Sequence, residues 1–435
     1  MTATVIGAGL AGCEAAYRLA SEGVFVRLYE MKPHKRSPAH KLDTFAELVC
    51  SNSLKAQRTA SAAGLLKQEM RLLSSLVMEA ADSCRVEAGG ALAVDRERFS
   101  AFITQRILAH PRIEVVYEEM ASIPQEGLVI VAAGPLTAHA LAADIKARCG
   151  HETLSFYDAA APIVTADSID MDKVFLAARY DRGEADYINC PFDKEGYERF
   201  WQALCDARSV PLQEFEQEFF RVYEGCMPIE VMARRGKDTI RFGPMRPVGL
   251  RNPKTGHRPW AVVQLRKENS GGSLYNLVGF QTNLKFGEQK RVFSMIPGLE
   301  HAEFARYGVM HRNTFLDSPR LLDPFCRLKS DPRVLFAGQI TGVEGYTESA
   351  ACGIYAGLTA ARMIADKPLV TPPADTMLGA LVRYISDETV TEFQPMGSNM
   401  GILPPLAEPV RGKQLRYEAL AERALDSMAE YVAAL

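Results

Sequence analysis

A doubly wound α/β fold carrying an insertion is predicted by three stretches of this 435-residue sequence. The first is an apolar strand, Ala3 to Ile6, running straight into Gly7-Ala8-Gly9-Leu10-Ala11-Gly12. The second is Leu128 to Val131, followed by Ala132-Ala133-Gly134-Pro135. The third is Arg333 to Phe336, followed by Ala337-Gly338-Gln339-Ile340-Thr341-Gly342. Short buried strands that end on small residues are what a parallel sheet needs where its edge meets a phosphate.

The first stretch is G-x-G-x-x-G in its full context. An alanine-rich helix follows, Glu14 to Ala20, stopping near Gly23, and then a second strand, Val24 to Tyr29, ending in Glu30. Gly7 permits the tight turn, Gly9 lets backbone approach a pyrophosphate, and Gly12 lets helix and strand pack closely. The helix N-terminus offers free N–H groups to the phosphates, and Glu30 is placed to accept from a ribose diol. The other two stretches decide for FAD over NAD. In flavoproteins with two such motifs, a late strand ending in a Gly–acid/amide pair, here Gly338-Gln339, approaches the ribityl phosphate. The next helix, read as starting at Tyr346-Thr347-Glu348-Ser349, aims its positive end at the flavin ring. The prediction is a Rossmann-type two-motif FAD-binding fold with FAD held non-covalently, since Cys13 faces a helix interior. The cofactor-binding residues are Gly7, Ala8, Gly9, Leu10, Ala11, Gly12, Glu30, Gly338, Gln339 and Tyr346.

The FAD-binding domain is then discontinuous, 1–165 and 296–370, with an α+β insertion domain at 166–295. Residues 60–81 and 137–148 read as helices. The insertion has strands near 173–180, 239–242, 261–265 and 276–281, and a helix near 195–207. The tail, 371–435, is expected to end in a helix from Tyr417 to Ala434 and to pack on the FAD domain.

Composition is ordinary for a globular protein, 47% hydrophobic and 24% charged with a net charge of −3. No run of about 18 apolar residues exists, so no membrane span is expected. A strand that begins at Ala3 leaves no room for a targeting peptide, which points to the cytoplasm. Nine cysteines occur without a C-x-x-C pair or histidines at ligand spacing, so neither a metal site nor a disulfide framework is expected. Residues 234–267 hold ten Lys/Arg against the single acid Asp238, a local +9, with Phe242 and Trp260 interleaved. That asymmetry predicts an RNA-binding surface using Arg234, Arg235, Arg241 and Arg246, because guanidinium forks match phosphate oxygens. Cys50 stands where Ser51 or Ser53 could cap a helix, near Lys55 and Arg58, a setting that favours a thiolate. Cys226 stands between Gly225 and Met227-Pro228, with Glu224 and Glu230 nearby, a setting that disfavours one.

With these residues in hand the sequence resembles the folate- and FAD-dependent tRNA uracil-5-methyltransferases from end to end. The likeness rests on Val5 to Gly12, Glu47-Leu48-Val49-Cys50-Ser51-Asn52-Ser53-Leu54, Gly89-Gly90-Ala91-Leu92-Ala93-Val94-Asp95-Arg96, Arg241-Phe242-Gly243-Pro244-Met245, Tyr307-Gly308-Val309-Met310-His311-Arg312-Asn313-Thr314 and Gly342-Val343-Glu344-Gly345-Tyr346. Cys352 departs from the small residue expected there. A flavoprotein that modifies wobble uridine shares both FAD motifs but carries a long C-terminal helical region for which this chain has no room. The resemblance implies methylation of a T-loop uridine at C5, with methylenetetrahydrofolate giving the carbon, reduced FAD the hydride, and NADPH or NADH reducing the flavin. It implies that Cys50 and Cys226 are the catalytic pair, Cys226 adding to uracil C6 and Cys50 handling the proton, although the neighbouring charges argue for the reverse. It further implies that His311 stacks on the folate pterin and that Tyr346 covers the flavin. The same chemistry on ribosomal RNA, and a FAD/NAD(P)H oxidoreductase acting on a small molecule, are the open alternatives.

Overall fold

The computed structural model describes residues 2–37, 39–149, 153–159, 161–181, 185–210, 227–268, 272–308, 310–390 and 393–435. Its main sheet has six strands in the order Arg327–Leu328, Asp331–Phe336, Leu128–Val131, Thr2–Ile6, Phe25–Tyr29, Ile113–Val116. The last five run parallel and the first pairs antiparallel at the edge. The three glycine-marked strands are therefore neighbours. Ile6 pairs with Val131 and Val131 with Phe336, so their glycine turns leave the same edge of the sheet. Thr2–Ile6 has Phe25–Tyr29 on one side and Leu128–Val131 on the other, which makes this edge the switch point where such sheets bind ligands.

The helices Leu10–Ser21 and Tyr346–Ile364 pack across this sheet at backbone contact. Their facing surfaces consist of small residues. A Cβ on Gly353 would lie 2.2 Å from the Ala11 carbonyl oxygen, and one on Gly357 2.8 Å from that of Ala15. The apolar run 60–81 forms two helices rather than the one expected, Ala62–Leu72 and Leu76–Ser83. Ser74 turns left-handed at φ 58°, Ser75 caps the second helix, and the buried Glu14 carboxylate accepts from the N–H groups of Leu76 and Val77.

A second, antiparallel sheet runs Phe175–Leu176, Tyr187–Phe192, Ala261–Lys267, Leu274–Leu277, Ile163–Thr165, Phe304–Arg306. It has its own core around Phe200, Val263, Phe280 and Phe293. Its strands Ile163–Thr165 and Phe304–Arg306 reach beyond 166–295 at both ends. An antiparallel ribbon, Thr153–Ala159 with Met310–Leu316, carries the chain out and back. Residues 239–242, expected as a strand from their β-branched pair, form a single helical turn. Phe242 N–H bonds to the Asp238 carbonyl, Ile240 alone is buried, and Gly243 ends the turn.

The tail helices Met377–Tyr384 and Lys413–Ala433 pack on the Ala62–Leu72 helix, and Leu420, Ala424 and Met428 join the first core. The buried Glu69 carboxylate accepts the N–H groups of Met377 and Leu378 at 2.7 and 2.8 Å, anchoring the tail. Between these helices, Met396 bonds to Gly342 and Glu344 through its backbone at 2.8 and 2.9 Å. The tail thus forms a wall of the region that follows the third motif. Among the described residues no helix is long and apolar enough to cross a membrane.

Candidate active site at the edge of the dinucleotide groove

A groove opens along the shared edge of the three marked strands, with about 1160 Å³ of empty space lined by Gly7, Gly9, Glu30, Gly134, Gly338 and Tyr346 among others. Because it runs along the ends of three neighbouring strands, it suits an extended ligand. Gly7 sits at φ 99°, and a Cβ there would meet the Ala132 carbonyl oxygen at 2.7 Å. A Cβ on Gly12 would lie 1.8 Å from the Gly7 oxygen. On Gly9 it would meet no protein atom within 4 Å. Two glycines of the fingerprint are thus required by the protein itself, and the third by whatever fills the groove. Glu30 accepts from Ala8 N–H and Lys32 N–H, each at 2.9 Å. Its carboxylate ties the glycine turn to the strand end while facing the groove. On the far side Gln339 is fixed by donating to Glu344 at 2.8 Å. These residues fit FAD: a phosphate cradle without a side chain, an acid for the ribose, and a helix start at Tyr346 for the ring. Cys13, expected to face a helix interior, is buried, and its thiol donates to the Ala8 carbonyl. Burial, then the Glu30 charge, pushes it well above the ordinary thiol range.

Cys50 lies at the end of this groove, against Tyr346. The Tyr346 oxygen accepts the N–H of Cys50 at 2.7 Å and of Ser51 at 3.3 Å, and it stands 2.9 Å from Cys50 Sγ. With two N–H groups pointing at the phenol oxygen, its own proton is directed at the sulfur. Burial, then the Cys50 charge, pushes the phenol well above its ordinary value, so it stays protonated and has a proton to donate to the sulfur. Tyr346, which the resemblance has covering the flavin, lines the groove, and its hydroxyl is engaged at the Cys50 thiol.

The surroundings of Cys50 differ from those expected. Residues 53–56 are a strand, so no helix N-terminus is capped by Ser51 or Ser53. Lys55, expected to favour a thiolate at Cys50, pairs with the buried Glu348 at 2.9 Å. The cation beside Cys50 is Arg306, from the second sheet. Burial, then the Arg96 charge, lowers its proton affinity, and Tyr346 and Cys50 offset this. Arg266, also of the second sheet, donates to Ser51 at 2.7 Å and Asn52 at 3.0 Å, and Arg96 donates to the Leu48 carbonyl at 2.8 Å. The Cys50 loop is therefore clamped where the two sheets meet. Sequence reading missed Arg96, Arg266 and Arg306. Arg96 closes a quoted run, but the other two come from strands whose proximity to Cys50 only the fold reveals.

The chain matches the family described as glucose inhibited division protein A over residues 2–368. It is 58% identical over 433 residues to "Methylenetetrahydrofolate--tRNA-(uracil-5-)-methyltransferase TrmFO" of Heliobacterium modesticaldum, covering 100% of this chain and 98% of the relative. The protein of that name from Listeria monocytogenes serotype 4b is 57% identical over 424 residues, covering 98% of this chain and 97% of the other. This chain belongs to the methylenetetrahydrofolate–tRNA-(uracil-5-)-methyltransferase family. Aquifex aeolicus GidA, a solved structure at 16% identity, matches with a TM-score of 0.70 over 100% of this chain and 74% of its own. The fold is the two-motif flavoprotein fold read from the sequence.

Of the other residues picked out for this methyltransferase, Cys226 lies outside the described residues, which resume at Met227. Glu230, expected to bear on it, is buried and accepts from Thr282 and the Asn283 N–H, both at 2.8 Å. His311 pairs through its backbone with Asp158 in the ribbon, and its side chain lies outside the described residues. Arg234 donates to the carbonyls of Cys205 and Ala207, ending the helix Lys194–Asp206. Arg241 donates to the Trp260 carbonyl at 3.0 Å. Arg235 and Arg246 are exposed. Of the ten basic residues, Arg266 is buried and Lys267 pairs with Glu87. The surface cations without an ion pair among the described residues include Arg246, Arg251 and Arg258. Among those residues no cluster of three or more His, Cys, Asp or Glu could hold a metal.

Proposed function

We propose that this enzyme methylates C5 of a tRNA uridine, the T-loop position implied by its resemblance, using methylenetetrahydrofolate as carbon donor and NADPH or NADH as reductant. The single observation that carries the reading is Cys50 beside the dinucleotide groove, in hydrogen-bond contact with the half-buried Tyr346 that lines it. FAD, when bound, supplies the hydride that brings the transferred carbon to the methyl level. Gly9 and the N-terminus of the Leu10–Ser21 helix would hold its pyrophosphate, Glu30 its ribose, and Gly338 its ribityl side.

Uracil C5 is a weak nucleophile until a thiolate adds at C6, which puts an enolate next to it. Cys226 is assigned that addition. After C5 has taken the carbon, its proton must leave before the thiolate can depart. Cys50 is assigned the removal of that proton, because the Tyr346 hydroxyl against its sulfur and the nearby Arg306 charge both favour a proton acceptor there. The Cys50 loop is fixed at the junction of the two sheets, so the uracil is expected to enter between them, with Cys226 reaching it from the second side. His311 is assigned to the pterin. The arginines of residues 234–258 are assigned to RNA phosphates, and a cytoplasmic location follows from the substrates. NADPH or NADH would supply the electrons for the flavin when both are bound.

The test is product formation. Purified enzyme with NADPH should convert tRNA uridine to 5-methyluridine with methylenetetrahydrofolate and not with S-adenosylmethionine. Methylation supported by S-adenosylmethionine, or confined to ribosomal RNA, would overturn the reading.

A further inference from the structure

Phe242 is the most exposed large hydrophobic side chain among the described residues, with 70% of its surface open. It stands at the end of a single helical turn, Thr239–Phe242, where Gly243 turns the chain away. Its support is unusually rigid for a surface ring. The Arg241 guanidinium lies 5.2 Å from the Phe242 centroid and 3.8 Å from that of Trp260, and Lys194 lies 5.6 Å from the same indole. Arg241 is locked there by the Trp260 carbonyl and by Asp238 at 3.6 Å. Arg241, held between the indole and the ring, backs Phe242 on one side and leaves most of its apolar surface in water.

The same segment presents Arg246, Arg251 and Arg258, which are exposed and form no ion pair among the described residues. A second ring nearby, Tyr180, is 57% exposed and held at φ 60°, which tyrosine seldom adopts. It is tied to the segment by its N–H bond to Gly249, and Arg179 donates to the carbonyls of Arg246 and Val248. An apolar ring alone would suit any oily partner. An exposed ring among exposed arginines suits a flat, π-faced partner that also carries phosphates.

We propose that Phe242 is a stacking platform for an unpaired nucleobase of the RNA substrate, flanked by arginines that take the adjacent phosphates. This rests on the reading that the substrate is RNA, and it adds that recognition includes an unstacked base outside the catalytic cleft. Stacking contributes energy without reading an edge, so the contact tolerates any base while requiring an unpaired one.

The experiment measures binding of a tRNA transcript to FAD-loaded full-length enzyme, for wild type, Phe242→Ala, Phe242→Leu and Phe242→Trp, across a salt series. Phe242→Ala and Phe242→Leu are expected to weaken binding about tenfold or more, with the slope of affinity against salt unchanged because no phosphate contact is lost. Phe242→Trp, which keeps a π-face, is expected to restore it. FAD content should be the same in all four, since the ring is on the surface and far in sequence from the groove. Unchanged affinity in Phe242→Ala, equal rescue by Phe242→Leu, or a salt slope that falls with the ring would overturn the platform. Loss of self-association in Phe242→Ala with RNA binding intact would also overturn it. Failure of wild type to bind tRNA at all would instead strike the substrate assignment.

Discussion

Replacing Tyr346 by Phe removes one oxygen and three interactions: the N–H groups of Cys50 and Ser51 and the contact to Cys50 Sγ. A hydrogen bond to a charged group contributes roughly 1.5–3 kcal/mol. With 1.36 kcal/mol for each tenfold, the thiolate-to-thiol equilibrium at Cys50 should shift about ten- to a hundredfold toward the thiol. The two N–H groups belong to half-buried residues, so water can reach them and the stability loss should stay within about 1–3 kcal/mol. The assay is alkylation by iodoacetamide near neutral pH in a Cys226→Ser background, read by mass spectrometry of the labelled peptides. Among the described cysteines only Cys50 and Cys205 are not buried. Cys205, whose thiol is pushed up by burial, is the internal standard. Labelling of Cys50 relative to Cys205 should drop by at least tenfold in Tyr346→Phe. An unchanged ratio would show that the phenol does not donate to the sulfur, and the reasoning behind Cys50 as base would fail with it.

Three further outcomes follow from the same geometry. Gly9→Val should fold yet purify without flavin absorbance, because its side chain would point into the space where no protein atom lies within 4 Å; normal absorbance would contradict the cradle. Neutralising Arg246, Arg251 and Arg258 together should lower the slope of log affinity for tRNA against log salt by about 2–3, with FAD content unchanged; an unaltered slope would move the phosphate surface elsewhere. Burial raises the Glu348 carboxyl, but Lys55, Ser398 and Thr347 outweigh it and hold it at about 2 against an ordinary 4.5. Its ionised form therefore stabilises the fold fully above about pH 4.5 and loses that contribution as the pH falls toward 2, roughly 3 kcal/mol in all. Wild type should accordingly lose melting temperature more steeply than Glu348→Gln on acidification through that window, and parallel curves would refute the assignment.

What the sequence made legible was whatever depends on local pattern. The fingerprint, the three strands that end in small-residue turns, the helix start at Tyr346 and the long tail helix all follow from periodicity and glycine placement, and all are present. The failures came where distant residues decide. Residues 60–81 have an unbroken helical pattern, yet Glu14, some sixty residues away, supplies the acceptor that lets a second helix begin at Leu76. Residues 239–242 look like a strand, but among the described residues they join no sheet and close a helical turn instead. Around Cys50 the nearby Lys55 looked like the activating cation, and the fold spends it on Glu348. Its place is taken by Arg306, more than two hundred and fifty positions on, which no spacing rule reaches. The basic run 234–267 was read as one surface, whereas Arg234, Arg241, Arg266 and Lys267 hold the insertion together or dock it, leaving a smaller outward-facing set.

The central claim is that two cysteines from two parts of the chain divide the work on one uracil, and single alanine variants of each, assayed with normal and 5-fluorouridine tRNA, test it most directly. Cys226→Ala is predicted to lose both methylation and covalent trapping, because no bond to C6 can form. Cys50→Ala is predicted to lose methylation while still forming the adduct, which persists because the C5 proton cannot be removed. Full methylation by either variant would contradict the account.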